Sequence, residues 1–383
     1  MAPPPRELVS DVISEILLRL PPDEPECLFR AALVCKPWLR TISDPAFLRR
    51  YRAFHGTPPL LGLVDTDPKI NRGWSFRLVP TRAVPAFPFP APDARCGLPL
   101  DCRHCRVLVG MVEDGRVNYL VCDPVTGVRY RLPQLEVRYI CNAAAVFCAA
   151  AGCKHLDCHD GPFCVVLMIG YCSTNSMLAT CYSSEIGAWS EEATWQGIGA
   201  RQLYGRGALI GDEIYFMLSG NTGIIKYDWG KNCLSLVNPP PSAVYNNRVT
   251  LMMMECSLGL AGIEHSSLYL WSRRVSSEET AEWVQCRVID LDTMMPMANP
   301  SDGASVFGFA EGVDVIFVRT LVGLFMMELK SGRVRKVHKI NPGLSVLPYM
   351  GFYTPGIMLA PAYILDFFVS FHMFASLLVG SGL

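Results

Sequence analysis

The sequence predicts two architectures in series: a small all-α bundle at the N-terminus and a large all-β domain after it. Three observations predict this. Up to about residue 55, apolar residues recur at helical spacing between Ser, Asp and Pro signals. From Leu60 onward the chain breaks into short apolar runs separated by turn residues. The turns share a chemistry that returns at intervals of roughly 40 to 65 residues, in the range of one or slightly more four-stranded repeat units.

In the first helix, Ser10 is the expected N-cap. Val12, Ile16 and Leu20 fall four apart and give an apolar face, and Ile13 with Leu17 adds a second such pair. Pro21-Pro22 stops the helix because proline cannot donate the next ladder bond. Asp23, with Glu26 three residues on, reads as an acidic capping box for a second helix. Pro25 is tolerated in its first turn, and Leu28, Ala31, Ala32 and Cys35 keep the helical spacing. Pro37 opens a third helix carrying Trp38, Leu39 and Ile42. Ser43 or Asp44 with Pro45 starts a fourth for Phe47, Leu48 and Tyr51. A bundle this small leaves apolar residues exposed, and a partner-binding surface needs such a surplus.

Several stretches of this segment match one family in order: Ser14-Glu-Ile-Leu-Leu-Arg-Leu-Pro21, Val34-Cys-Lys-Pro-Trp38 and Ser43-Asp-Pro-Ala-Phe47. The segment resembles an F-box, the adaptor-binding module of cullin-type ubiquitin ligases. An F-box usually opens with Leu-Pro, whereas here Leu8 is followed by Val9, which removes one common adaptor contact. The resemblance implies that residues 1–55 dock on a Skp-type adaptor and through it reach a cullin. Leu8, Ile16, Leu17, Leu20, Pro21, Val34, Cys35 and Trp38 are the adaptor-binding residues it implies.

Composition frames the rest. The chain has 383 residues, 50% of them hydrophobic and 18% charged, with a net charge of −1. That length suits one small module plus one large domain. The charge argues against a nucleic-acid surface, which needs clustered Lys and Arg. Met1-Ala-Pro-Pro-Pro-Arg6 has no apolar core, so no secretory leader is expected, and the 16 cysteines read as reduced intracellular thiols. The expected location is cytoplasmic, nuclear or both.

His55-Gly-Thr-Pro-Pro59 marks the boundary, and Leu60–Val64 is the first expected strand. The proline-rich stretch Val79–Pro99 reads as a surface loop. Strands follow at Arg106–Gly110, Asn118–Cys122 and Val128–Leu132. Phe163–Tyr171 is a nearly unbroken apolar run, suited to a strand buried on both faces. Ala179–Ser183 and Trp189 come next, and Gly207–Phe216 reads as a hairpin around Gly211-Asp212. Ile224–Asp228, Leu234–Val237, Leu268–Trp271, Val284–Leu291, Val315–Val318, Leu324–Leu329 and Val334–Val337 continue the series. Related turns sit at Val121–Gly127, Tyr182–Trp189, Tyr227–Gly230, Val288–Leu291 and Glu328–Gly332.

Asp101-Cys-Arg-His104, Val121-Cys-Asp-Pro124, Leu268-Tyr-Leu-Trp-Ser272 and Pro348–Pro355 add a second resemblance. They are similar to the kelch-like β-propeller paired with F-boxes in large plant families. The expectation is therefore an F-box at 1–55, a kelch-like β-propeller for target recognition at 60–355 and an atypical apolar tail at 356–383. A pair of β-sandwiches is the structural alternative.

Candidate chemistry is sparse. Cys102-Arg-His-Cys105 has zinc-knuckle spacing, and Cys153, His155, Cys158 and His159 form a second possible ligand group. The first pair abuts an apparent strand, and relatives commonly place glycine at Cys105. The second group has no clean second Cys-x-x-Cys pair. No metal, no cofactor and no stoichiometric zinc is expected. No nucleophile elbow, phosphate loop or paired-His metalloprotease motif is present, and Gly197-Ile-Gly199 lacks a third glycine and a preceding strand. Met252-Met-Met254 reads as a buried strand or loop. Nothing supports intrinsic catalysis.

Ile357–Val379 is almost wholly apolar and long enough to span a bilayer, but Asp366 sits near its centre and no Lys or Arg flanks it. A soluble protein with a poorly specified tail is the reading, and membrane association is not expected. A membrane anchor, a core element and an artefact of the gene model stay open as alternatives for the tail. The two resemblances together imply a non-catalytic substrate receptor of a Skp–cullin–F-box ligase that presents a target protein of unknown identity. The alternatives are an F-box scaffold without ligase output and a propeller binding module unrelated to ubiquitin.

Overall fold

The computed structural model describes residues 10–67, 75–81, 97–135, 143–171, 175–197, 203–218, 220, 222–240, 249–275, 281–295, 304–337 and 347–355. Leu8 and the tail from 356 lie outside them, as does most of the proline-rich stretch.

Four helices open the chain: α1 (Ser10–Leu18), α2 (Pro25–Ala32), α3 (Lys36–Ser43) and α4 (Pro45–His55). Two cap assignments change. Ser10 lies inside α1, and the N-cap of α2 is Glu24, whose side chain makes no capping bond. Asp44 does cap α4, accepting from the Ala46 N–H at 3.0 Å. Gly56, at φ 71°, ends α4 in the left-handed conformation, with its N–H on the Arg52 carbonyl. After Leu18 the chain tightens into i→i+3 bonds, Arg19 N–H to Ile16 and Leu20 N–H to Leu17, before the two prolines stop it.

The β-domain is a ring of six sheets. β1 (Leu60–Asp67) and β2 (Ser75–Pro80) begin it in sequence but belong to its last blade. The first full blade is β3 (Gly97–Arg103), β4 (Arg106–Glu113), β5 (Arg116–Cys122) and β6 (Arg129–Arg131). The second is β7 (Ala143–Cys148), β8 (Phe163–Tyr171), β9 (Ser176–Ser183) and β10 (Ala188–Trp189), with β11 (Ala193–Gln196) also on β9. The third runs β12 (Leu203–Ile210), β13 (Glu213–Leu218), β14 (Ile224–Asp228) and β15 (Cys233–Val237). The fourth runs β16 (Thr250–Met254), β17 (Ser257–Glu264), β18 (Ser267–Val275) and β19 (Ala281–Asp290). The fifth runs β20 (Ser305–Ala310), β21 (Val315–Thr320), β22 (Gly323–Glu328) and β23 (Val334–Val337). β24 (Leu347–Met350) pairs antiparallel with β1, so a late strand completes a blade begun at Leu60. Closure of this kind removes the sheet edges that would otherwise recruit another chain.

β3, β7, β12, β16, β20 and β24 touch in succession around the axis. These are the innermost strands, and most fall where the sequence predicts none. Ala143-Ala-Ala-Val-Phe-Cys148 is buried throughout and Ser305-Val-Phe-Gly-Phe-Ala310 nearly so, which leaves no period-2 alternation to detect. Met252–Met254 belongs to β16. Val79-Pro80 and Gly97–Pro99 are strand rather than loop, and Pro99 sits where the β3–β4 register shifts.

All innermost strands end at the face where the β3–β4, β7–β8 and β20–β21 connections lie, and the helices pack there. Phe352, just past β24, joins the buried cluster of the bundle, with its ring 6.1 Å from that of Tyr51. In return Phe29 of α2 enters the cluster between the first and last blades, 5.3 Å from Tyr353. Arg52 of α4 pairs with Asp157 of the β7–β8 connection at 2.6 Å. Bundle and ring therefore share a core.

Candidate adaptor-docking surface and propeller hub

Helical spacing places two apolar stripes on α1, and packing decides which one faces in. Ile13 and Leu17 meet the bundle core together with Leu18, Leu28, Ile42, Phe47 and Tyr51. Leu17 is 1% exposed, so among the described residues implied to touch an adaptor it is the one fully buried in the core. Val12 and Ile16 face outward. Leu20 and Trp38 pack half-buried against the core, and Pro21 is half-buried. Val34 is 64% exposed and Cys35 is exposed in the bend before α3. Leu33 and Leu39, which the sequence reading did not assign to binding, are exposed as well. Their signal was available: both flank the Val34–Trp38 match.

The outward apolar set is held by a rigid scaffold. The Tyr51 hydroxyl donates to the Leu20 carbonyl at 2.9 Å, tying the end of α1 to α4. Burial pushes the Tyr51 phenol up, so it stays a donor. Glu15 accepts from Arg50 at 2.8 Å on the surface, a contact of small energetic worth.

A profile for the F-box domain matches residues 6–50, and the profile described as F-box protein AT5G49610-like, beta-propeller, matches residues 99–357. The chain belongs to this F-box β-propeller family.

F-boxes generally bind Skp-type adaptors, and the exposed set lies on that module. No curated protein matches the chain. Solved structures similar to this F-box protein include a fucose-specific lectin from Aleuria aurantia, at 12% identity and TM-score 0.42, with 78% of this chain and 98% of that one covered. TolB from Acinetobacter baumannii has 13% identity and TM-score 0.40, over 82% and 72%. A protein from Lactobacillus plantarum has 13% identity and TM-score 0.43, over 73% and 81%.

The Asp101-Cys-Arg-His104 stretch forms the hub of the propeller. Asp101 is fully buried and accepts from Arg103 at 2.5 Å, Arg206 Nε at 2.9 Å and the Val146 N–H at 3.0 Å. Arg206 also donates to the carbonyls of Cys102 and Phe309, and Arg103 to Gly207 and to Glu311 at 3.2 Å. Four blades are thereby laced across the axis. A Cβ at Gly207 would fall 2.7 Å from the Phe216 ring, so only glycine lets the carbonyl approach Arg103 without shifting β13. Burial would raise the Glu311 carboxyl, but Arg103 and Arg206 outweigh it and hold the group at about 2. Every charge in this hub has a partner, which makes it a lock on the ring.

His104 and Cys105 form the two-residue turn from β3 to β4, both at positive φ (49° and 66°), the conformation that favours glycine. Cys102 and Cys105 join no metal-type cluster among the described residues. His159 leaves its expected group as well: its Nδ1 meets the Asp123 carboxylate. Among the described residues no helix is long and apolar enough to cross a membrane.

Proposed function

We propose that this chain is the substrate receptor of a Skp–cullin–F-box ubiquitin ligase. The F-box docks on the Skp-type adaptor through Ile16, Val34, Cys35 and neighbouring exposed side chains, and through it reaches the cullin. The propeller captures a target protein. The chain supplies proximity rather than bond-making, so none of its side chains acts as acid, base or nucleophile. Its place of action on this reading is the cytoplasm, the nucleus or both. The single observation that carries the proposal is the outward apolar set on an F-box whose core is shared with a propeller. A target held by the ring is then held at a fixed position relative to the adaptor.

The face of the ring away from the F-box is the side for the target. The turns between second and third strands lie there, and Val112, Tyr171, Leu321 and Val322 are exposed near them. Aromatic and aliphatic groups of this kind suit a protein partner.

Co-expression of the full chain with a Skp-type adaptor should give a stable complex on gel filtration. Addition of the cullin arm should transfer ubiquitin to a protein captured by the chain. Leu321→Asp with Val322→Asp should reduce target capture and leave the adaptor complex intact. No adaptor complex would sink the F-box reading, and an adaptor complex without ubiquitin transfer would identify a scaffold.

A further inference from the structure

The β7–β8 connection, residues 149–162, is a long stretch without regular structure on the F-box side of the ring. Loops of this length inside a compact domain need their own source of order. Cys148 at the end of β7 lies with Cys153, His155 and Cys158 of this connection, their ligand-type atoms all within 4.8 Å of one another. Cys153 Sγ is 3.7 Å from Cys158 Sγ, and Cys158 Sγ is 3.7 Å from His155 Nδ1. Four ligands placed tetrahedrally around zinc, with Zn–S of about 2.3 Å, leave neighbouring sulfurs about 3.8 Å apart. A disulfide instead needs its sulfurs at about 2.05 Å. The group expected from sequence, Cys153, His155, Cys158 and His159, exchanges one member: His159 meets Asp123 and Cys148 takes the fourth place. The chain turn that separates Cys148 from His159 in sequence is what brings Cys148 in.

The surroundings hold the ligands in place. The His155 N–H points at Cys153 Sγ at 3.3 Å, the kind of donor that supports a thiolate. His155 adopts φ 56°, a left-handed conformation that folds the loop back on itself. The His104 ring stacks on His155 with centroids 3.8 Å apart and planes 9° apart. The same His104 accepts from the Cys148 N–H at 3.0 Å. One strained turn residue of the first blade thus orients two of the four ligands, a supporting role typical of the shell around a metal.

We propose that Cys148, Cys153, His155 and Cys158 form a structural zinc site that fixes the brace between F-box and propeller. The metal takes three thiolates and the neutral imidazole through Nδ1. Three thiol protons leave to solvent, and the site carries a net charge of −1. Four protein ligands close the coordination sphere, so the ion does no chemistry on a substrate. The ordered loop carries Leu156 into the F-box cluster and Asp157 to Arg52 of α4. Metal binding therefore sets how firmly the adaptor module is held on the ring.

The test is metal analysis of the full chain purified under reducing conditions without chelator. About one zinc per chain is expected, falling to below about a tenth in Cys153→Ser and in Cys158→Ser. Cys233→Ser, an exposed thiol elsewhere, should keep the full zinc content. Replacing the zinc of the unmodified chain with cobalt(II) should give the visible bands of a tetrahedral thiolate site, a readout that survives if the variants fail to fold. Chelation should speed proteolysis between the F-box and Leu60. An unmodified chain that folds with less than about a tenth of a zinc, a Cys153–Cys158 disulfide in its mass map, or zinc retained in both serine variants would each overturn the proposal.

Discussion

At the surface of the F-box, Val34 is 64% exposed, while at the axis of the propeller Asp101 is 0% exposed. One region leaves apolar groups in water and the other takes charges out of it. The physical reasons differ. The bundle is too small to cover both stripes of α1, and one of them, with Val12 and Ile16, stays in water. The hub is covered on all sides, and its charges survive there because each carboxylate oxygen meets a guanidinium or an N–H. An exposed apolar set is an unfinished surface, whereas a satisfied buried network is a finished one.

The largest effect that would test this contrast is Asp101→Ala. It strands Arg103 and Arg206 in the axis, and a loss of about 3–5 kcal/mol of unfolding free energy is expected. Chemical denaturation checks it. A loss below about 1 kcal/mol would mean that the hub is not the lock described, since so small an effect fits a solvated pair.

Leu17→Ala should cost about 2–5 kcal/mol of stability, because it opens a cavity beneath α1. Ile16→Ala, one residue earlier, should leave the melting of the free protein nearly unchanged. If the two variants melt alike, the assignment of inner and outer stripes is wrong.

Ile16→Ala and Val34→Ala should instead weaken adaptor binding, each by roughly ten- to a hundredfold if the side chain is fully buried in the complex. Isothermal titration of the full chain against the adaptor measures this. Unchanged affinity in both would move the docking surface away from α1 and the α2–α3 bend. Arg19→Ala, an exposed surface charge, serves as the control with little change expected.

A further effect is with pH. The Glu311 carboxyl is held at about 2 against an ordinary 4.5, facing Arg103, Arg206 and His104. A depressed carboxylate stabilises the folded chain fully above about 4.5 and loses that contribution as pH falls toward 2. Glu311→Gln should therefore flatten the acid limb of a stability–pH curve between those values. An unchanged acid limb would place Glu311 outside the lock.

The sequence determined the order of architectures, the helix ends marked by Pro21, Pro37 and Pro45, and the middle and outer strands of most blades. Ile224–Asp228 and Phe163–Tyr171 have the same limits in both readings. These are legible because proline, turn residues and runs of β-branched side chains act through local sterics. Most of the innermost strands are not, because β7 and β20 are buried along nearly their whole length, and a uniform run has no period. The Asp101-Cys-Arg-His104 stretch was visible as a family likeness, but its partners Arg206 and Glu311 lie 105 and 210 residues from Asp101. Only closure of the ring brings them together. The inward stripe of α1 is decided by packing within the bundle, and Cys148 meets Cys153, His155 and Cys158 through the fold of the β7–β8 connection. Residue type fixes which groups can bury, pair or ligate. Tertiary structure decides which of them meet, because packing in a closed ring depends on neighbours the local chain does not contain.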